Sequence, residues 1–160
     1  GQYDYTSLLG WKTAGKVPVL IPVSWFCMSL CCYLLADQLV GREPSRMFGS
    51  ASTRIRHAAA RITVAALLLV AWDFTLEPAM SQLTPYWIWR EPEVFFLGVA
   101  VKNLLGWVIT GFLIFLGFEI LKLGKYAPAS SVAGLPSFIS LICHFQLASR
   151  SQAQPGPLFY

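Results

Sequence analysis

RITVAALLLVAWDFTLEPAM, residues 61–80, decides the fold. A helix of this length spans about 30 Å, the thickness of a bilayer's hydrocarbon core. Apart from two threonines, its polar groups are Arg61 at one end and Asp73 and Glu77 toward the other. The two acids are four residues apart, so on a helix they leave one face, one turn from each other. An Asp at the centre of a membrane helix costs about 2.5–3.5 kcal/mol on insertion scales, and less near an interface. Acids in such a place point to function and need a partner.

The rest of the chain has the same character. It is 56% hydrophobic and 12% charged, and a soluble domain carries about twice that charge. The apolar residues come in long blocks without period-2 alternation, so helices rather than a barrel satisfy the backbone in lipid. The fold class is all-α, a polytopic transmembrane helical bundle in a single membrane domain over residues 1–148. Spans are predicted at about 17–40, 58–80, 97–123 and 135–148. Residues 1–16 are a polar, aromatic lead-in along the membrane surface, and 41–56 a Gly/Ser/Arg/Pro loop. Residues 81–96, with Tyr86, Trp87, Trp89, Phe95 and Phe96, read as an interfacial loop, since amphipathic rings collect at headgroup level. Residues 149–160 are an irregular tail.

The net charge is +4, but its placement argues against nucleic acid. Arg42, Arg46, Arg54, Arg56 and Arg61 fall together between the first two spans. With Lys122 and Lys125 they outnumber Lys12, Lys16, Arg90 and Arg150 on the other side. That bias places the arginine side in the cytoplasm or a matching stromal compartment, where anionic headgroups or an acidic partner can meet it. Cys27, Cys31, Cys32 and Cys143 lie in apolar blocks without a CxxC pair or metal-ligand spacing, and act as small apolar residues. No metal site is expected. Residue 1 is Gly, not Met, so either a targeting segment has been removed or the sequence is part of a longer product.

Topology names the partners of the acids. The second span ends where the third begins, so Asp73, Glu77, Lys102 and Asn103 share one leaflet. A seam of Asn103, Gly106, Thr110, Leu113 and Gly117 on the third span lets helices approach closely. Trp25, Trp72 and Trp107 lie at similar depth and are candidate pigment contacts. One reading is a structural clamp, in which Lys102 neutralises one acid and Asn103 bonds the other. The other is a buried acid site. Two close carboxylates in a low dielectric do not both ionise, and a protonated acid can donate to an alkene while aromatic faces stabilise the cation. Asp37, Arg61 and Glu119 form a second, structural cluster on the arginine side. His57 reads as loop-borne and solvated. His144 is a candidate ligand for a metal or a chlorophyll magnesium, although a lone interior His is more often simply buried.

These residues also carry a resemblance. Gly1-Gln2-Tyr3-Asp4-Tyr5-Thr6 with Leu9-Gly10, Val17-Pro18-Val19, and Ile21-Pro22-Val23-Ser24-Trp25-Phe26 resemble part of a membrane carotenoid-biosynthesis family. That family includes bisanhydrobacterioruberin hydratase and cyanobacterial carotenoid 1′,2′-hydratases. Residues Ala71-Trp72-Asp73-Phe74-Thr75-Leu76-Glu77-Pro78-Ala79-Met80 are similar to its acid motif. Tyr86-Trp87-Ile88-Trp89, Gly98-Val99 and Asn103-Leu104-Leu105-Gly106-Trp107 resemble the motif that follows. The likeness covers roughly residues 1–118, and family members are usually longer. It implies addition of water to a terminal double bond of a polyene, through protonation to a tertiary carbocation.

Three positions depart from the pattern. Glu77 stands where Asp is usual, Ala100 where Pro is usual, and Lys102 where a small residue, commonly Ser, is usual. A cation beside the acids favours their ionised form, and an ionised carboxylate cannot protonate an alkene. The expectation is therefore a non-catalytic relative. It would bind carotenoid, chlorophyll or lipid, require no cofactor, and pack with other membrane subunits in a larger complex, such as one in a thylakoid or other photosynthetic membrane. The alternative is an active hydratase with Asp73 as the acid, Glu77 tuning it and Asn103 orienting water.

Overall fold

The computed structural model describes residues 3–41, 50–90, 95–96 and 99–123. The chain opens with strand β1 (Tyr3–Tyr5), then the short hairpin of β2 (Lys12–Thr13) and β3 (Val17–Pro18). Helix α1 (Leu20–Val40) leads to α2 (Ala51–Pro78), which continues through a wide turn, Ala79–Leu83. Strand β4 (Trp87–Trp89) and the pair β5 (Phe95–Phe96) and β6 (Val99–Ala100) precede helix α3 (Val101–Leu121). Among the described residues, three helices are long and apolar enough to cross a membrane, in line with an all-α helical membrane protein. The fourth predicted span, His144, the 149–160 tail, Arg42 and Arg46 lie outside the described residues.

Helix α2 is central and packs along both α1 and α3. The core between them holds Tyr33, Ala36, Ala65, Leu69 and Phe115, all fully buried. Rings join α1 to α3: Trp25 stacks on Trp107 at 4.1 Å, and Tyr33 lies against Phe115 and Phe118. The seam predicted on α3 is in the wrong phase. Gly106, Thr110 and Leu113 are exposed, and the packed stripe is Asn103, Trp107, Gly111, Phe115 and Phe118. Aromatic rings fill the groove beside α2, and one glycine suffices for close approach. A Cβ on Gly111 would meet Leu69 Cδ2 at 3.2 Å.

Helix α2 starts at Ala51, not near residue 58. Ser50 caps it by accepting the Thr53 N–H at 3.2 Å, and the Ala- and Arg-rich turn that follows has high helix propensity. Arg54, Arg56 and His57 are thus helical, and His57 is half-buried rather than solvated. At the other end, Pro78 has no N–H to give the carbonyl four residues back. The helix widens there: Thr84 N bonds Ala79 O at 3.0 Å, and Ser81 Oγ donates to Glu77 O at 2.8 Å.

The lead-in and the ring-rich segment are not loose surface segments. They pair as an antiparallel sheet, Tyr3 opposite Trp89 and Tyr5 opposite Trp87. Thr6 donates its N–H to Tyr86 O and its hydroxyl to Pro85 O, each at 2.9 Å. Arg90 forks onto Asp4 across the edge of this sheet. The guanidinium's hydrogen bonds hold the exposed Asp4 carboxyl below the usual carboxylate range. The third span also starts later than predicted, at Val101, because residues 99–100 are extended in β6.

Candidate functional site

Asp73 and Glu77 point into the bundle from the last turns of α2 and are 0% and 1% exposed. That is the helical four-residue spacing at work: one face of α2 turns inward, and both acids share it. Asn103, in the first turn of α3, lies across from them. Its amide nitrogen donates to Asp73 Oδ2 at 3.3 Å and to Glu77 Oε2 at 3.1 Å. The remaining oxygen of Glu77, Oε1, accepts the indole N–H of Trp87 at 3.2 Å and of Trp89 at 2.9 Å. Asp73 Oδ1 is buried without a hydrogen-bond partner among the described residues.

Successive residues on a helix point about 100° apart. Asn103 faces α2, and Lys102, one residue before it, is exposed. The expected clamp placed a cation on one acid. Its amide member is in place: Asn103 lies across both acids, and two indoles join it at Glu77. Trp25 and Trp107 stack together one turn deeper than Asn103, and Trp72 is half-buried against the core. The described residues hold no group of three or more His, Cys, Asp and Glu placed to bind a metal.

Trp87 and Trp89 escaped the sequence reading as site residues. From sequence, their rings belong equally well to the headgroup belt, where such rings are common. The available signal was alternation: Tyr3-x-Tyr5 and Trp87-x-Trp89 each put two rings on one face of a strand. Paired, they form edge-on contacts, Tyr3 with Trp89 at 5.1 Å and Tyr5 with Trp87 at 6.5 Å between centroids. The sheet thus covers the acid end of the bundle and aims two N–H groups inward.

At the opposite end, Arg61 ties all three helices together. Its Nη1 bonds Asp37 Oδ1 at 2.5 Å, and its Nε and Nη2 fork onto Glu119 at 2.5 and 2.8 Å. Its guanidinium carbon sits 5.5 Å from the Tyr33 ring centre. This is the cluster expected from the sequence, and it is distant from the acid pair along α2.

Comparison with known proteins gives a consistent picture. The profile of a family described as "Carotenoid biosynthesis protein" matches residues 1–149. The chain is similar to the bisanhydrobacterioruberin hydratase of Haloarcula japonica, with 33% identity over 119 residues. That alignment covers 74% of this chain and 36% of the relative, so the chain spans about a third of the relative's length. No solved structure matches the chain.

Proposed function

The chain belongs to the carotenoid biosynthesis protein family, and from that premise we propose that it serves in hydrating a terminal double bond of a polyene inside the membrane. The observation that carries this reading is the buried pair with unequal partners. Asp73 keeps an oxygen with no described partner, while every oxygen of Glu77 faces an N–H donor.

Asp73, holding the proton, delivers it to the less substituted alkene carbon. The carbon–carbon π pair forms the new C–H bond, and a tertiary cation remains. A water oxygen then adds to the cation, and the proton it sheds passes to the carboxylate of Glu77 and back to Asp73. Water is consumed and both acids are regenerated. Asn103, bonded to both carboxyls, sets their spacing. Burial at the acid end keeps bulk water from the cation, and low polarity strengthens each electrostatic contact there.

The competing expectation, a non-catalytic subunit binding carotenoid, chlorophyll or lipid, rests in part on Lys102 holding the acids ionised. Neutral N–H donors at both carboxyls speak for the catalytic reading. The experiment is expression in a host that accumulates a linear polyene, followed by pigment analysis. A hydroxylated product is expected, and Asp73→Asn is expected to lower its yield at least about 100-fold, the low end for a lost general acid. Unchanged yield in Asp73→Asn rules the reading out.

A further inference from the structure

We propose that Trp87 and Trp89 are positioning residues that give the two carboxyls different roles: their indoles hold Glu77 as the anion, leave the proton on Asp73, and are themselves held by the Tyr3–Tyr5 strand. This deepens the hydration reading of the same site, but the placement of the proton stands on geometry alone.

Donor counting carries the argument. An indole N–H and an amide NH2 can only donate at these positions. Glu77 Oε1 faces two indole N–H groups and Oε2 faces the Asn103 amide. Three N–H bonds fill both lone pairs of Oε1 and one of Oε2, so the anion of Glu77 is the better solvated of the two carboxylates, and a proton it accepts in passing is readily given up. Among the described residues Asp73 accepts one hydrogen bond, from Asn103 at 3.3 Å, and its second oxygen has no partner. That oxygen takes a proton without displacing any hydrogen bond, and the carboxylate it belongs to has one N–H donor against three on Glu77.

Among the described residues, the charged groups on the elements around the site are few. Directly after β4, Arg90 is engaged by Asp4 on the exposed edge of the sheet, and on β2 Lys12 donates to Tyr5 O. On α3, Lys102 is exposed beside Asn103. Helix α1 contributes Trp25, which is stacked on Trp107. The neutral dipoles of Asn103, Trp87 and Trp89 make the distinction.

The strand register keeps the indoles in place. Trp87 and Trp89 leave the same face of β4, while Ile88 is exposed on the other. The rings of Tyr5 and Tyr3 back them edge-on across β1. Thr6 pins the turn at Pro85 and Tyr86. A loosened β1 would withdraw both N–H groups from Glu77 together.

Infrared spectroscopy of the purified protein in lipid nanodiscs reads the proton directly, through the C=O stretch of a protonated carboxyl. With both tryptophans present, Asp73→Asn is expected to remove that stretch and Glu77→Gln to keep it. In a Trp87→Phe/Trp89→Phe background, which retains the rings, Asp73→Asn is expected to leave a protonated-carboxyl stretch that Glu77→Gln abolishes. Loss of the stretch in Glu77→Gln of the otherwise native chain overturns the inference, even if the double Phe protein fails to fold. So does an identical band pattern in the native and Phe backgrounds. If the pattern appears as expected while no hydrated product forms in the polyene-accumulating host, the proton placement holds and the hydration reading falls.

Discussion

A single amide carries much of the acid site. Among the described residues, Asn103 is the one side chain bonded to both carboxyls. Replacing it with Leu leaves two buried acids without their shared donor, and a buried polar group deprived of its partner costs about 1–3 kcal/mol. Asn103→Leu is therefore expected to lower the thermal unfolding temperature in detergent, and an unchanged midpoint would refute the bridging role. That Asn103 meets the acids was legible in the sequence. Carboxyls in hydrocarbon require a polar partner, and chain direction left few within the same leaflet. The two indoles were not legible. An indole ring is equally at home among headgroups, and only the pairing of β4 with β1 turns its N–H inward.

Helix phase and strand pairing belong to the scale of elements. The packed face of α3 runs through Gly111, while Gly106 meets nothing within 4 Å of a built Cβ. Gly111→Leu is expected to destabilise the bundle by about 1–3 kcal/mol, the usual range for overpacking. Gly106→Leu is expected to stay within about 0.5 kcal/mol, as exposed substitutions do. Equal effects in thermal melts would restore the seam first predicted. The sheet makes a pH prediction. Arg90 lowers the Asp4 carboxyl from its usual range, so the pair's contribution is complete above the ordinary aspartate value, about pH 4, and is lost as pH falls through the lowered value. Amide exchange at Tyr3–Tyr5, corrected for intrinsic rate, is expected to rise on acidification below that range. Asp4→Asn should remove this dependence.

For the molecule as a whole, two polar clusters at opposite ends of α2 set the helices in register. At one end Asn103 links α3 to α2, and at the other Arg61 links α2 to both α1 and α3. Arg61→Leu strands Asp37 and Glu119 beside the core, and removing one partner from a buried ion pair costs about 3–5 kcal/mol. Adding Asp37→Asn and Glu119→Gln to Arg61→Leu should recover much of that loss in unfolding experiments; no recovery would mean the cluster is not coupled. The amino-acid sequence alone determined the apolar spans, the charged side of the bundle, the Arg61 cluster and the acids that need partners, because a bilayer taxes every charge and the chain's direction sets its depth. Only the tertiary structure decided which face of each helix is packed and which strand crosses the acid end. Lipid tails are as apolar as leucine, so a helix turned toward protein and one turned toward lipid read alike, and a two-residue alternation shows its partner only once the strands are paired.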